Sequence, residues 1–325
     1  MTEKIAVIND LSGFGKCSLT AAISAIAAMG VQPCPLPTAV LSAQTGYPSY
    51  YYDDYTDRME SVFREWEKMG VRFDGIYTGF VSGGHQIEKV LRFLDVFCGE
   101  DTFLLVDPVM GDNGARYPVF TGEMEHQMRR LASRADIITP NLTELCLLTG
   151  TDCRMVREMH EEGHLREAAE EMASNLLTDR TKEIVVTGIR YREKETGTEM
   201  MGNLALTKEG ASFSAFPFIG DSYSGTGDLF ASVIAGGRAR GDSLADSMKL
   251  AGEMIERAIA DAVRDGVPRN DGVEYERYLW MLGEANRLKD GAGSDGSVGD
   301  NKSAGDGGSI GDNGNAGDGG KKGAM

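Results

Sequence analysis

The sequence predicts an α/β protein of three layers, α-β-α, with a mostly parallel central sheet, a β-hairpin appended late and a disordered C-terminal tail. Three observations predict it. Apolar runs of strand length alternate with segments of helical period through most of the 325 residues, the pattern of a parallel sheet covered on both faces. One run, Phe103–Val106, is apolar without alternation, as a strand buried on both faces must be. Finally, the polar clusters at 9–15, 78–84, 107–114, 139–144 and 187–190 each directly follow a predicted strand. In open α/β sheets ligands gather beyond the carboxyl ends of the strands, so these clusters point to one site.

In chain order, 5–8 is a short apolar strand that runs into a glycine-rich loop, and 18–29 is an Ala-rich helix stopped by Gly30. Pro33, Pro35 and Pro37 confine the extended segment 31–41 to an edge or an irregular strand, since proline cannot donate to a ladder. Helical spacing covers 55–69, 86–97, 122–133 and 165–177, with strands at 73–77, 103–106, 136–138 and 183–187 between them. Paired extended runs from 197 to 215, around Lys208-Glu209-Gly210, predict the hairpin. Two further helices are expected at 243–263 and 274–285. From 289 onward Gly, Asp, Ser, Asn and Ala repeat with almost no apolar residue, too little burial to offset the entropy of ordering. The expected organisation is thus one domain, 1–288, and a low-complexity tail, 289–325.

Composition narrows the partners. Apolar content of 41% and charged content of 26% are those of an ordinary globular chain. A net charge of −17 argues against nucleic acid or an anionic membrane as a partner. The five cysteines are scattered and form no CxxC, which suits reduced thiols and argues against a disulfide framework or a zinc site. The four histidines share no ligand spacing except His160 and His164, which lack the HExxH pattern. The first eight residues read as a strand rather than a signal peptide, and no apolar run is long enough to span a bilayer. A cytoplasmic protein is expected.

The chemistry centres on Gly225-Thr226-Gly227-Asp228, which precedes the apolar run from Leu229. Two glycines let the backbone approach a ligand closely. The amides of residues 225–228 then form an anion hole at a positive helix end. Asp228 beside a phosphate site makes sense as the base that takes a proton from an attacking hydroxyl; an ordinary first-turn acid is the alternative. Asn141 and Glu144, opening another helix, read either as a capping pair or as the side of the site that holds phosphates and Mg²⁺ through water. Asp107 ends a buried strand, where an unpaired carboxylate is costly, and shares its loop with Asp112. Asp10, Ser12 and Thr45, with Gly13 and Gly15, are candidates for the floor of a small-substrate site; Gly13-Phe14-Gly15-Lys16 is neither a Walker A loop nor a full GxGxxG. Tyr50, Tyr51, Tyr52 and Tyr55 form either a flap over the substrate or a partner surface.

These residues, over about 4–286, resemble the pyridoxal kinases of the ribokinase-like (PfkB) superfamily, in particular the bacterial pyridoxal/pyridoxamine kinases. The resemblance rests on Asn9–Gly15, Gln44–Tyr47, Thr78–Phe80, Val106–Asp112, Thr139–Glu144 and Gly225–Phe230. It implies ATP-dependent phosphorylation of the 5′-hydroxymethyl group of vitamin B6 vitamers, with Mg²⁺ and often K⁺, usually as a homodimer. It also implies Asp228 as catalytic base and Gly225, Thr226 and Gly227 as anion hole. Asp107, Asn141, Glu144, Thr187 and Gly188 fall on the nucleotide side, and Asp107, Asp112, Asn141 and Glu144 on the magnesium side. Thr45 is implied as a substrate contact, and Tyr47 or Phe80 can stack on a flat ring. Phe80 stands where many members have Tyr, and either Asp10 or Ser12 stands for the family's substrate serine. The rivals are a hydroxymethylpyrimidine kinase, a sugar kinase of the same fold, and a non-catalytic B6-binding protein.

Overall fold

The computed structural model of the chain describes residues 1–117, 120–154, 164–220 and 222–283. The tail predicted from 289 onward, and His160, lie outside them. Among these residues nine strands make one sheet in the order β11-β10-β9-β8-β5-β4-β1-β2-β3. The parallel centre holds β2 (Gln32–Leu41), β1 (Lys4–Ser12), β4 (Gly75–Thr78), β5 (Phe103–Val106), β8 (Ile137–Ile138) and β9 (Glu183–Arg192). The predicted hairpin is β10 (Glu199–Thr207) with β11 (Gly210–Pro217), extending the sheet antiparallel from β9.

Alternation along the strands decides the two cores. Ala6 and Ile8 of β1 point to one face, packed with Met59 and Phe63 of α2 (Thr56–Lys68), Val90 and Leu94 of α3 (Gly84–Phe97), and Met128 of α4 (Gly122–Ala132). Also on this face are Leu145 of α5 (Leu142–Thr149) and Ala169 of α6 (Leu165–Ser174). Ile5 and Val7 point the other way, against α1 (Ser18–Ala28), α7 (Thr226–Arg240) and α8 (Leu244–Asp265). Three layers result.

The differences from the sequence reading have local causes. β1 continues through Ser12 because β2 pairs with it as far as Leu41, so Asn9 and Asp10 belong to the strand and not to the loop. β9 runs past Thr187 to Arg192 because β10 covers it. β3 (Tyr52–Asp54) shields only Ala39–Leu41 of β2, and among the described residues no strand lies on the outer side of the proline-bearing part. That is where absent donors cost nothing. The two-residue strands β6 (Gly111–Asp112) and β7 (Ala115–Arg116) were too short for any period. The helix expected from 274 begins instead as a 3₁₀ turn, Tyr275–Tyr278, which turns Tyr275 into the core while Arg277 and Tyr278 both bond Asp261 of α8. All five cysteines are free thiols. No helix among the described residues is long and apolar enough to cross a membrane.

The chain leaves β1 towards β2 on one side and returns to β4 on the other. This reversal sets a crevice at the carboxyl end of β1, the place where such sheets bind ligands.

Candidate active site

A cleft of about 1690 Å³ opens over the carboxyl ends of the strands. Single small-molecule sites occupy roughly 300–1,000 Å³, so this one has room for two ligands side by side. Most site residues expected from sequence line it: Asp10, Ser12, Thr45, Tyr47 and Phe80 at one end, Gly225 to Asp228 in the middle, and Asp107, Asp112, Asn141, Glu144, Thr187 and Gly188 beyond; Gly13 and Gly15, expected at the floor, and Tyr51 and Tyr55 of the expected flap do not.

The middle is built by backbone geometry. Gly225 caps α7 in the left-handed region at φ 82°, with no side-chain cap on the helix. A Cβ there would sit 2.3 Å from the Lys16 carbonyl oxygen, so only glycine allows the contact. Asp228, in the first turn of α7, does not turn back to cap its own helix. Its carboxylate accepts from Asn9 Nδ2 at 3.0 Å and from the backbone N–H of Ser18. Burial pushes its pKa up to about 6; the Ser18 N–H pulls it down, the charge of Asp10 adds to the rise, and Asn9 opposes it. A carboxylate poised near neutrality suits proton transfer.

Asn9 belongs to the polar cluster 9–15 and to the resemblance, but the sequence reading gave it no role. Wholly buried, its Oδ1 accepts from the Asp10 N–H at 2.9 Å and the Phe80 N–H at 2.8 Å, while Nδ2 holds Asp228. Gly79 makes room, since a Cβ there would lie 2.4 Å from Asn9 Nδ2. Ser18 was also missed, because nothing in its sequence context signals its positive φ of 51°. The signal for Asn9 was available: a polar residue interrupting an apolar strand at the site end.

Beyond α7 the capping reading of Asn141 and Glu144 is realised in full. Asn141 Oδ1 accepts from the Glu144 N–H at 3.0 Å and Glu144 Oε2 from the Asn141 N–H at 2.9 Å. Glu144 Oε1 takes the Met110 N–H at 3.1 Å, and Asn141 Nδ2 donates to the Gly111 carbonyl at 2.9 Å. The box thereby also fixes the 107–114 loop. Asp107 accepts from the Thr139 hydroxyl at 3.1 Å, and burial together with the charge of Asp228 pushes it up to about 7. Burial, then the charge of Asp107, raises Glu144 well above its usual range. Asp112 instead caps its own turn, accepting from the Asn113 N–H and side-chain amide.

Among the described residues, no three His, Cys, Asp or Glu side chains are grouped to hold a metal directly, so the four expected magnesium residues form a wall and not a cage. The donor set nevertheless fits a hydrated divalent cation carried on a nucleotide. Asp107 and Glu144 are buried hard oxygen acids whose charged forms are disfavoured, and among the described residues no ion pair reaches either. A cation relieves that penalty, and hard oxygens are what Mg²⁺ binds.

At the substrate end, Gln44 Oε1 accepts from the Gly46 N–H at 2.6 Å, and Gln44 Nε2 donates to Ser224 Oγ at 3.1 Å. The Tyr47 hydroxyl donates to Asp271. The loop 44–47 is thereby tied to the turn before α7. Of the tyrosine run, Tyr50 and Tyr52 line the cleft while Tyr51 is 67% exposed. On the far side, β10 has an irregular register opposite Thr187 and Gly188, where the Gly188 N–H (φ 72°) donates to Oδ1 of buried Asn203.

A family model described as phosphomethylpyrimidine kinase matches residues 14–270. A crystal structure of a putative phosphomethylpyrimidine kinase from Bacteroides thetaiotaomicron is 35% identical, with a TM-score of 0.78 over 86% of this chain and 94% of that one. A second crystal form of it, 34% identical, contains pyridoxal. Pyridoxal kinase from Lactobacillus plantarum is 26% identical, with a TM-score of 0.76 over 89% of this chain and 99% of that one. A pyridoxal kinase of Rubrobacter xylanophilus is 27% identical over 81% of this chain and 88% of its own.

Proposed function

The chain belongs to the phosphomethylpyrimidine kinase family, and we propose that it transfers the γ-phosphoryl group of ATP to the 5′-hydroxymethyl group of pyridoxal, pyridoxamine or pyridoxine. The observation that carries the reading is the junction of Asp228 with the bare amides of the α7 turn, in a cleft long enough for a nucleotide and a flat ring together.

The chemistry follows from the parts. The hydroxymethyl oxygen sits against Asp228, which takes its proton as the oxygen attacks the γ-phosphorus. Asn9 and the Ser18 N–H hold the Asp228 carboxylate in line. Amides at 225–228, at the positive end of α7, face the charge that spreads over the phosphoryl oxygens, where preorganised donors contribute most. Phosphoryl transfer asks for this positioning and charge stabilisation more than for covalent help. Mg²⁺, held through water by Asp107, Asn141 and Glu144, would neutralise phosphate charge on the far side. The nucleotide lies over Thr187 and Gly188 towards the hairpin, and the vitamer over Asp10, Ser12, Thr45, Tyr47 and Phe80. The family's name, phosphomethylpyrimidine kinase, supports a pyrimidine as a second acceptor.

An ADP-release assay across pyridoxal, pyridoxamine, pyridoxine, hydroxymethylpyrimidine and ribose tests this. ADP release is expected with the B6 vitamers. Release with the pyrimidine or ribose alone, or with none of the five, refutes the assignment.

A further inference from the structure

Asp10 stands out at the substrate end. Its residue is 6% exposed yet lines the cleft. It accepts a hydrogen bond from Ser12 Oγ at 2.6 Å. Among the described residues, no lysine, arginine or histidine forms an ion pair with it; Lys16, in the loop after β1, is engaged by Glu274 and Glu276. Burial disfavours its charged form, only partly offset by the hydroxyls of Ser12 and Ser18. A buried carboxylate without a counter-ion is retained at a cost. Asparagine or serine would accept the same hydroxyl hydrogen bonds without that cost, so the charge itself has a use when the cleft is filled.

Its position relative to Asp228 tells what that use is. One planar amide, Asn9, accepts from the Asp10 N–H at 2.9 Å and donates to Asp228 at 3.0 Å. Two carboxylates thus stand on one floor, joined by a single side chain. A flat acceptor that offers its hydroxymethyl group to Asp228 presents another edge to Asp10. Of the other side chains here, Ser12 and Thr45 are neutral hydroxyls, Phe80 is a ring, and the Asp271 carboxylate is engaged by the Tyr47 hydroxyl.

We infer that Asp10 selects the acceptor by pairing with a protonated ring nitrogen, which makes the preferred substrate a hydroxymethyl-bearing 3-hydroxypyridine in its zwitterionic form and disfavours a neutral pyrimidine. A 3-hydroxypyridine moves its phenolic proton to the ring nitrogen and presents an N–H⁺ donor; neutral pyrimidine nitrogens present only lone pairs, which a carboxylate repels. Charge-assisted hydrogen bonds to a desolvated carboxylate are among the strong ones. The inference rests on the phosphoryl-transfer reading above and specifies its substrate.

The test compares pyridoxine with its carbocyclic analogue, in which the ring nitrogen is a C–H, and with hydroxymethylpyrimidine. Binding to the full chain is measured by calorimetry and turnover by ADP release. The wild-type protein is expected to bind pyridoxine at least tenfold more tightly than either neutral ring. Asp10→Asn, which keeps an acceptor for Ser12, is expected to shrink that preference to within about twofold, through weaker pyridoxine binding and a raised KM, with the neutral rings unaffected or improved. Equal wild-type affinity for pyridoxine and the carbocyclic ring overturns the inference without needing the variant to fold. So does an Asp10→Asn protein that loses all substrates equally, since that is the mark of a structural role. Selective pyridoxine binding without ADP release would refute the kinase reading and leave the charge selection standing.

Discussion

Replacing Asp228 by Asn removes the proton acceptor while keeping the shape of the side chain and an oxygen to accept from Asn9, so activity and stability should move in opposite directions. The carboxyl pKa rises from 3.8 to about 6 on folding, about two units at roughly 1.4 kcal/mol each, or ~3 kcal/mol as a ceiling. Asp228 is only partly buried, and water in the cleft screens about half of this, leaving about 1–2 kcal/mol. The sign is fixed by the direction of the shift. An acid whose pKa is higher in the folded state destabilises that state once both states ionise, so the penalty is absent below about pH 4, grows as pH rises through 6, and is complete above it. Asp228→Asn, free of that penalty, should therefore melt about 2–6 °C higher than wild type at pH 8, with the gap closing as the pH falls towards 4. Turnover should fall by about 10² to 10⁴. Scanning calorimetry of the ligand-free proteins across this range, with ADP release at pH 8, checks both halves. A variant that melts below wild type at pH 8, or that keeps turnover within about tenfold, refutes the reasoning.

Three further outcomes are expected. The pH profile of kcat/KM should fall with unit slope below about pH 6, where Asp228 takes up its proton; a profile flat down to pH 5 speaks against its role as base. Gly225→Ala puts a methyl against the Lys16 carbonyl and forces a side chain to φ 82°, which should cost about 1–3 kcal/mol and lower kcat at least tenfold, read by thermal melts and initial rates. Asn9→Ala strips the Asp10 and Phe80 amides of their acceptor and Asp228 of a donor. A stability loss of about 2 kcal/mol or more should accompany a fall in kcat; unchanged denaturant midpoint and rate would remove Asn9 from the account.

The fold was legible because most helices carry a helical period and the central strands stand out as apolar runs, so that the strand at Phe103–Val106 could be read to the residue. The cleft was legible because polar clusters at strand ends are local signals, and Gly225-Thr226-Gly227-Asp228 announces a close backbone approach in its composition. What escaped reading depends on partners distant in sequence. Asn9 acts through Asp228, 219 residues away, and Tyr47 through Asp271. Neither partner is marked in local pattern, although Asn9 itself shows there as a polar residue interrupting an apolar strand. Of the two readings of Asn141 and Glu144, the capping one is realised, and it leaves room for the other. The capping box places both side chains at the cleft wall, and its second set of bonds to Met110 and Gly111 shapes the loop beside Asp107. The short strands β3, β6 and β7 were invisible for a simpler reason: two or three residues cannot display an alternation.

The central claim is tested most directly by the structure of the protein with a non-hydrolysable ATP analogue, Mg²⁺ and pyridoxine. The account predicts the γ-phosphate within hydrogen-bond distance of backbone N–H groups among residues 225–228, and the 5′-hydroxyl oxygen between that phosphorus and the Asp228 carboxylate. A terminal phosphate resting elsewhere in the cleft, or a hydroxymethyl group turned away from Asp228, would contradict it.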